Sequence, residues 1–146
     1  MIVLPVSLTT AGALALIHLW LAFRVSQQRM ASKVMVGDQG DPVLLARMRA
    51  HANNAEYAPF AMILIVLVEL AREPGWWLWA IAGLFVVGRL AHGLGMVRPA
   101  PNPLRAGGIM LTWAALAALA VWAIVIARQT PATVVRGAPA TATPMA

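Results

Sequence analysis

Four apolar stretches, each about the length that crosses a bilayer as a helix, leave this chain little choice of architecture. They cover residues 2–26, 43–72, 76–97 and 106–128 of 146. Residues 2–23 carry no formal charge, and 107–127 are uncharged and rich in alanine. The second stretch is apolar after a polar start, apart from Glu56 and Glu69, and the third is interrupted by Arg89 and His92. With 61% hydrophobic and 11% charged residues, an ordinary soluble domain is excluded. A backbone in lipid must satisfy its own hydrogen bonds, which favours helices. The expectation is one all-α membrane domain over residues 1–128, a four-transmembrane-helix bundle. Residues 129–146, dominated by Pro, Thr and Ala, are expected to form a disordered tail.

The first stretch has no basic residue ahead of it and is too long for a signal-peptide core, so it reads as a true span. Arg24, Arg29, Lys33, Arg47, Arg49, Arg98 and Arg105 flank the first and third connections, against Arg72, Arg128 and Arg136 on the opposite side. By the positive-inside rule both termini lie outside. One lysine against ten arginines points to a GC-rich bacterial genome, hence to the bacterial inner membrane. The net charge of +6 does not imply nucleic acid, because the arginines sit at helix ends, where they meet anionic headgroups or an anionic ligand. The absence of cysteine rules out disulfides, a protein thiolate nucleophile and cysteine-ligated metals, and no metal site is expected.

Asp41-Pro42 has the pattern of a helix cap followed by proline at the first helical position. Residues 27–42 read as a polar connection, 73–75 as a tight turn, and the three prolines among residues 98–105 as a stiff extended connection presenting Arg105 at the mouth of the last helix. The glycines of the third span and the alanines of the fourth suit close helix packing.

Charges inside spans are costly and mark a site by default. Arg49, Asn53 and Glu56 (i, i+4, i+7) fall on one face of the second helix, and Arg89, His92 and Met96 share a face of the third. Facing each other, the two stripes make a polar cavity near the cytoplasmic interface, which Arg105 would close. Arginine captures carboxylates bidentately, glutamate suits an ammonium, and asparagine supplies a donor and an acceptor. Together they match a small zwitterion such as a glutathione-like peptide. Taken singly, each residue has a plain structural alternative. Arg49 would be a snorkelling anchor, Glu56–Arg89 a structural ion pair, His92 a satisfied interior histidine and Tyr57 an interfacial aromatic. Glu69 and His18 are read as structural.

The string Arg49-x-x-x-Asn53-x-x-Glu56-Tyr57-x-Pro59 resembles the second-helix signature of the MAPEG family, the membrane-associated proteins of eicosanoid and glutathione metabolism. Arg89-x-x-His92 and its spacing to Arg105 resemble the third-helix and loop pattern of the family's prostaglandin synthase. The resemblance implies a homotrimer of four-helix bundles with glutathione bound between subunits as co-substrate. It implies that Arg49, Asn53, Glu56, Tyr57 and His92 bind glutathione and that Arg105 stabilises its thiolate. His51, about 200° round the helix from Arg49, is implied to reach the neighbouring subunit's ligand. Arg24 or Arg29 would contribute from the first helix. Met96 stands where the family's synthases have tyrosine, and Tyr57 is the chain's one tyrosine. The expected function is a membrane glutathione-dependent transferase or peroxidase acting on lipophilic electrophiles or hydroperoxides. The alternatives are a non-catalytic glutathione-binding or structural protein of the same fold, and a small transporter.

Overall fold

The computed structural model describes residues 3–129, which form four helices and no strand: α1 (Pro5–Ser32), α2 (Pro42–Ala71), α3 (Trp76–Gly95) and α4 (Pro103–Gln129). All four are long and apolar enough to cross a membrane. Short connections make successive helices antiparallel. The ends of α1 and α3 therefore meet the starts of α2 and α4, and Arg29, Arg47, Arg49, Arg98 and Arg105 gather at this basic end. The expected tail lies outside the described residues except for Gln129, which closes α4.

Helix boundaries at the basic end are built by side chains that satisfy free backbone groups. Asp41 Oδ1 accepts from the amides of Val43 and Leu44 at 2.9 and 3.0 Å, ahead of Pro42, as its sequence pattern predicts. Gln28 donates to Asp41 Oδ2 at 2.8 Å, which together with the backbone bonds holds this carboxyl below its ordinary pKa. That contact explains why α1 continues through residues 27–32 instead of ending with its apolar stretch. Lys33 then closes α1 in the left-handed region (φ 57°), and Arg29 Nη1 donates to the carbonyls of Met35 and Gly37 at 3.2 and 3.0 Å. Arg29 is thus a strut of the first turn.

The start of α4 repeats the Asp41-Pro42 device. Asn102 Oδ1 accepts from the amides of Leu104 and Arg105, and Pro103 opens the helix. Residues 96–102 run through a turn and bends and α4 begins at Pro103, so Arg105 belongs to the first turn of α4 and not to the connection. Its cap lets the helix begin three residues ahead of the apolar stretch.

At the opposite end, α1 has no side-chain cap of its own. Glu69 of α2 supplies one, accepting from the amides of Val6 and Ser7 at 2.9 and 2.7 Å and from the Ser7 hydroxyl. A carboxylate inside an apolar span is tolerated because it meets exposed N–H groups at the positive end of a helix dipole.

The core lies in layers along the bundle. One centres on Val6, Ile65, Leu78 and Leu119, the next on Leu14, Ala61, Phe85 and Ala115, and the third, nearest the basic end, on Ile17, Leu21 and Ala50. Leu16, Leu19, Phe60, Ile63, Val87, Val121 and Ile124 are exposed, which gives the outside of the bundle the apolar surface that lipid requires. α3 and α4 approach most closely through glycine. A Cβ on Gly95 would fall on the backbone of Arg105, and one on Gly108 on the backbone of His92. Only hydrogen fits at either position, and this seam sets the distance between the two helices that carry His92 and Arg105.

Candidate functional site

A cavity of about 520 Å³ opens at the basic end between α2, α3 and α4, within the size range of small-molecule sites. α2 contributes Arg49, Asn53 and Tyr57, α3 contributes His92, and α4 contributes Arg105 and Trp113. Met96 and the turn residues Ala100, Pro101 and Asn102 complete the wall.

The lining stripe on α2 is Arg49–Asn53–Tyr57, not Arg49–Asn53–Glu56. Asn53 and Tyr57 lie about 40° and about 80° round the helix from Arg49, while Glu56 lies about 20° the other way. The cavity is centred near Asn53, so Glu56 falls outside the lining and is exposed. His51 does not line it either. Its Nε2 lies 3.1 Å from His18 Nε2 on α1, with ring centroids 4.3 Å apart. Sequence spacing offers His18 no ionisable neighbour, because its partner comes from another helix. Arg24 packs its guanidinium over the Trp20 ring, 5.1 Å from the centroid, and its carbonyl accepts from Arg47.

Arg89 stands behind the cavity wall, with 0% of its surface exposed. Its Nη2 donates to Asn53 Oδ1 at 2.7 Å, its Nε to Asn54 Oδ1 at 3.4 Å and its Nη1 to Thr112 Oγ1 at 3.4 Å. Its guanidinium carbon lies 5.4 Å from the centroid of the Tyr57 ring. A buried guanidinium needs acceptors on every side, and here the directly bonded ones are neutral side chains of α2 and α4. Glu56 is not among them. Thr112 donates its own hydroxyl hydrogen bond to Gly108 O at 2.8 Å, which ties this polar layer to the glycine seam.

Two further contacts order the wall. Trp113 Nε1 donates to the Tyr57 hydroxyl at 3.0 Å, and His92 Nδ1 lies 3.0 Å from the carbonyl oxygen of Arg105. Sequence reasoning missed Trp113 and Asn102. Trp113 reads as an ordinary apolar residue of a span, and Asn102 as one polar residue in a proline-rich turn. Chemically the wall offers guanidiniums from two helices, amide and hydroxyl donors and one imidazole, with no carboxylate among its described residues. Such a set suits a small anionic ligand that accepts hydrogen bonds.

A family-wide sequence profile described as the MAPEG family matches residues 7–125, a stretch that includes the cavity residues and most of each helix. An inner membrane protein of Escherichia coli K12, YecN, is 31% identical over 102 residues, which cover 70% of this chain and 77% of the relative. The corresponding YecN of Escherichia coli O6:H1 strain CFT073 matches over the same extent at the same identity. Four apolar helices, a polar layer at one end and a profile that spans them lead to one conclusion: the chain belongs to the MAPEG family.

Proposed function

We propose that the protein is a glutathione-dependent transferase or peroxidase of the inner membrane, acting on lipophilic electrophiles or hydroperoxides that arrive through the bilayer. The observation that carries this reading is the convergence of Arg49, Asn53, Tyr57, His92 and Arg105 on one cavity. Its donors fit a peptide with two carboxylates. Arg49 would pair with a carboxylate, Asn53 and Tyr57 would hold peptide oxygens, and Glu56, next in sequence to Tyr57, would take the ammonium. Bound there, the peptide would supply the sulfur nucleophile that a chain without cysteine lacks. Arg105, in the first turn of α4, would place a cation and a helix N-terminus beside that sulfur and favour its ionised form. Arg89 would act from behind, by holding Asn53. A homotrimer, with ligand at the boundary between copies, would bring His51 of one bundle near the site of the next.

An ultraviolet difference spectrum at about 240 nm reads thiolate directly in detergent-purified protein mixed with glutathione near pH 7. The expected result is a saturable signal that disappears in Arg105→Ala. An unchanged signal in that variant would remove Arg105 from the role.

One observation favours a second reading. Met96 lines the cavity where the family's synthases carry a tyrosine, so no phenol reaches the ligand from α3. A glutathione-binding protein without turnover would give binding heat by calorimetry and no product across a panel of electrophiles.

A further inference from the structure

The hydrogen bonds around the cavity assign the roles of its polar side chains, and they leave one basic nitrogen with a lone pair. Arginine only donates, so the bond from Arg89 Nη2 identifies the acceptor as Asn53 Oδ1 and leaves the Asn53 amide nitrogen as a donor. Asn102 Oδ1 is taken by the two amides that it caps, so its free group is also a donor. The Tyr57 oxygen accepts from Trp113 Nε1, which leaves its proton to give. Arg49 and Arg105 can only donate.

His92 is the exception. A carbonyl oxygen cannot donate, so the 3.0 Å contact with Arg105 O requires the hydrogen on Nδ1. In the neutral ring Nε2 then carries a lone pair. Among the described residues no hydrogen bond engages that nitrogen, and His92 lines the cavity. We infer that His92 Nε2 is the catalytic base of this site, taking the proton of the glutathione thiol while Arg105 pairs with the sulfur left behind.

This inference rests on the functional reading above and adds the fate of the proton. The S–H bond breaks with both electrons staying on sulfur, and the Nε2 lone pair forms the new N–H bond. The resulting imidazolium keeps its Nδ1–H bond to Arg105 O, so one residue of α4 holds the base through its carbonyl and the sulfur through its guanidinium. When sulfur bonds to an electrophilic carbon, the proton on Nε2 passes to the atom that receives the displaced electron pair, or to the leaving group. The charged and titratable groups around His92 are Arg89 on its own helix, Arg105 on α4, and Arg49 and Tyr57 on α2. From α1, this stretch of α3 meets Trp20 and Leu21, neither of which titrates.

The test counts protons. Glutathione is titrated into the purified protein near pH 7 by calorimetry in buffers of differing ionisation heat, alongside absorbance at about 240 nm. Wild-type protein is expected to develop the thiolate signal while releasing fewer protons than thiolates formed, because His92 keeps a share of them beside the sulfur anion. His92→Asn retains a donor for Arg105 O and removes the base. It is expected to bind glutathione, lose the signal near pH 7 and regain it only at higher pH with release of about one proton per site. Its turnover should fall by about two orders of magnitude. If wild-type protein releases a proton in step with the signal, or His92→Asn keeps the wild-type signal and proton count, His92 is not the acceptor. If His92→Asn does not fold, the wild-type proton count decides alone. Wild-type protein that neither binds nor gives a signal overturns the functional reading, and this inference with it.

Discussion

A guanidinium with 0% exposure inside an apolar bundle needs an oxygen for nearly every nitrogen, and Arg89 finds them on Asn53, Asn54 and Thr112. The planar fork matters more than the charge, since three acceptors on two helices lie at different angles round it. Lysine has one nitrogen and cannot reach all three. Arg89→Lys is expected to leave at least one buried acceptor unpaired, at a cost of about 1–3 kcal/mol, read as a lower melting temperature in detergent. It should also weaken glutathione binding, because Asn53 loses the bond that orients its amide. Unchanged stability and binding would mean that Arg89 holds nothing in place. That Arg89 is interior was legible from its place in an apolar span. That it stands behind the wall was not, because a 100° periodicity says which residues share a face and not which neighbour the face meets.

At the scale of elements, the site is a product of helix ends and one tight seam. Asp41-Pro42 and Asn102-Pro103 use the same chemistry, a side-chain acceptor followed by a residue with no amide hydrogen, to start α2 and α4 at the same end. The α3–α4 seam sets the remaining distance. Gly108→Ala would push a methyl group into the backbone of His92, so α3 and α4 must separate. The variant is expected to lose about 1–3 kcal/mol of stability and to disturb the bond from His92 to Arg105 O. Gly83→Ala is the control, since nothing lies within 4 Å of its Cβ position. It should be neutral or stabilise by up to about 1 kcal/mol. Equal melting temperatures for the two variants would show that the seam is looser than its geometry implies. The caps at Asp41 and Asn102 follow patterns readable from sequence, whereas the cap on α1 does not. Glu69 reaches Val6 and Ser7 across more than sixty residues of chain, and no local pattern signals it.

For the whole molecule, the bundle concentrates cationic side chains at the end that holds the cavity, and the positive-inside rule predicts that this end faces the cytoplasm. A chain without native cysteine allows a clean test. A single cysteine at Asp38 is expected to resist an impermeant thiol reagent added to intact cells, while one at Glu73 reacts. The reverse pattern would invert the topology. Four spans, their helical character and the presence of polar groups within two of them followed from sequence alone. Length and hydropathy are properties of each segment, and lipid leaves a lone segment no alternative to a helix. The tertiary structure decided what depends on how each helix is turned against its neighbours. It put Tyr57 rather than Glu56 on the cavity wall, paired His51 with His18 and set Arg89 behind Asn53. It also joined His92 to the carbonyl of Arg105. Helix rotation and register are fixed only when side chains from separate segments compete for the same space and the same hydrogen bonds, and that competition exists only in the assembled bundle.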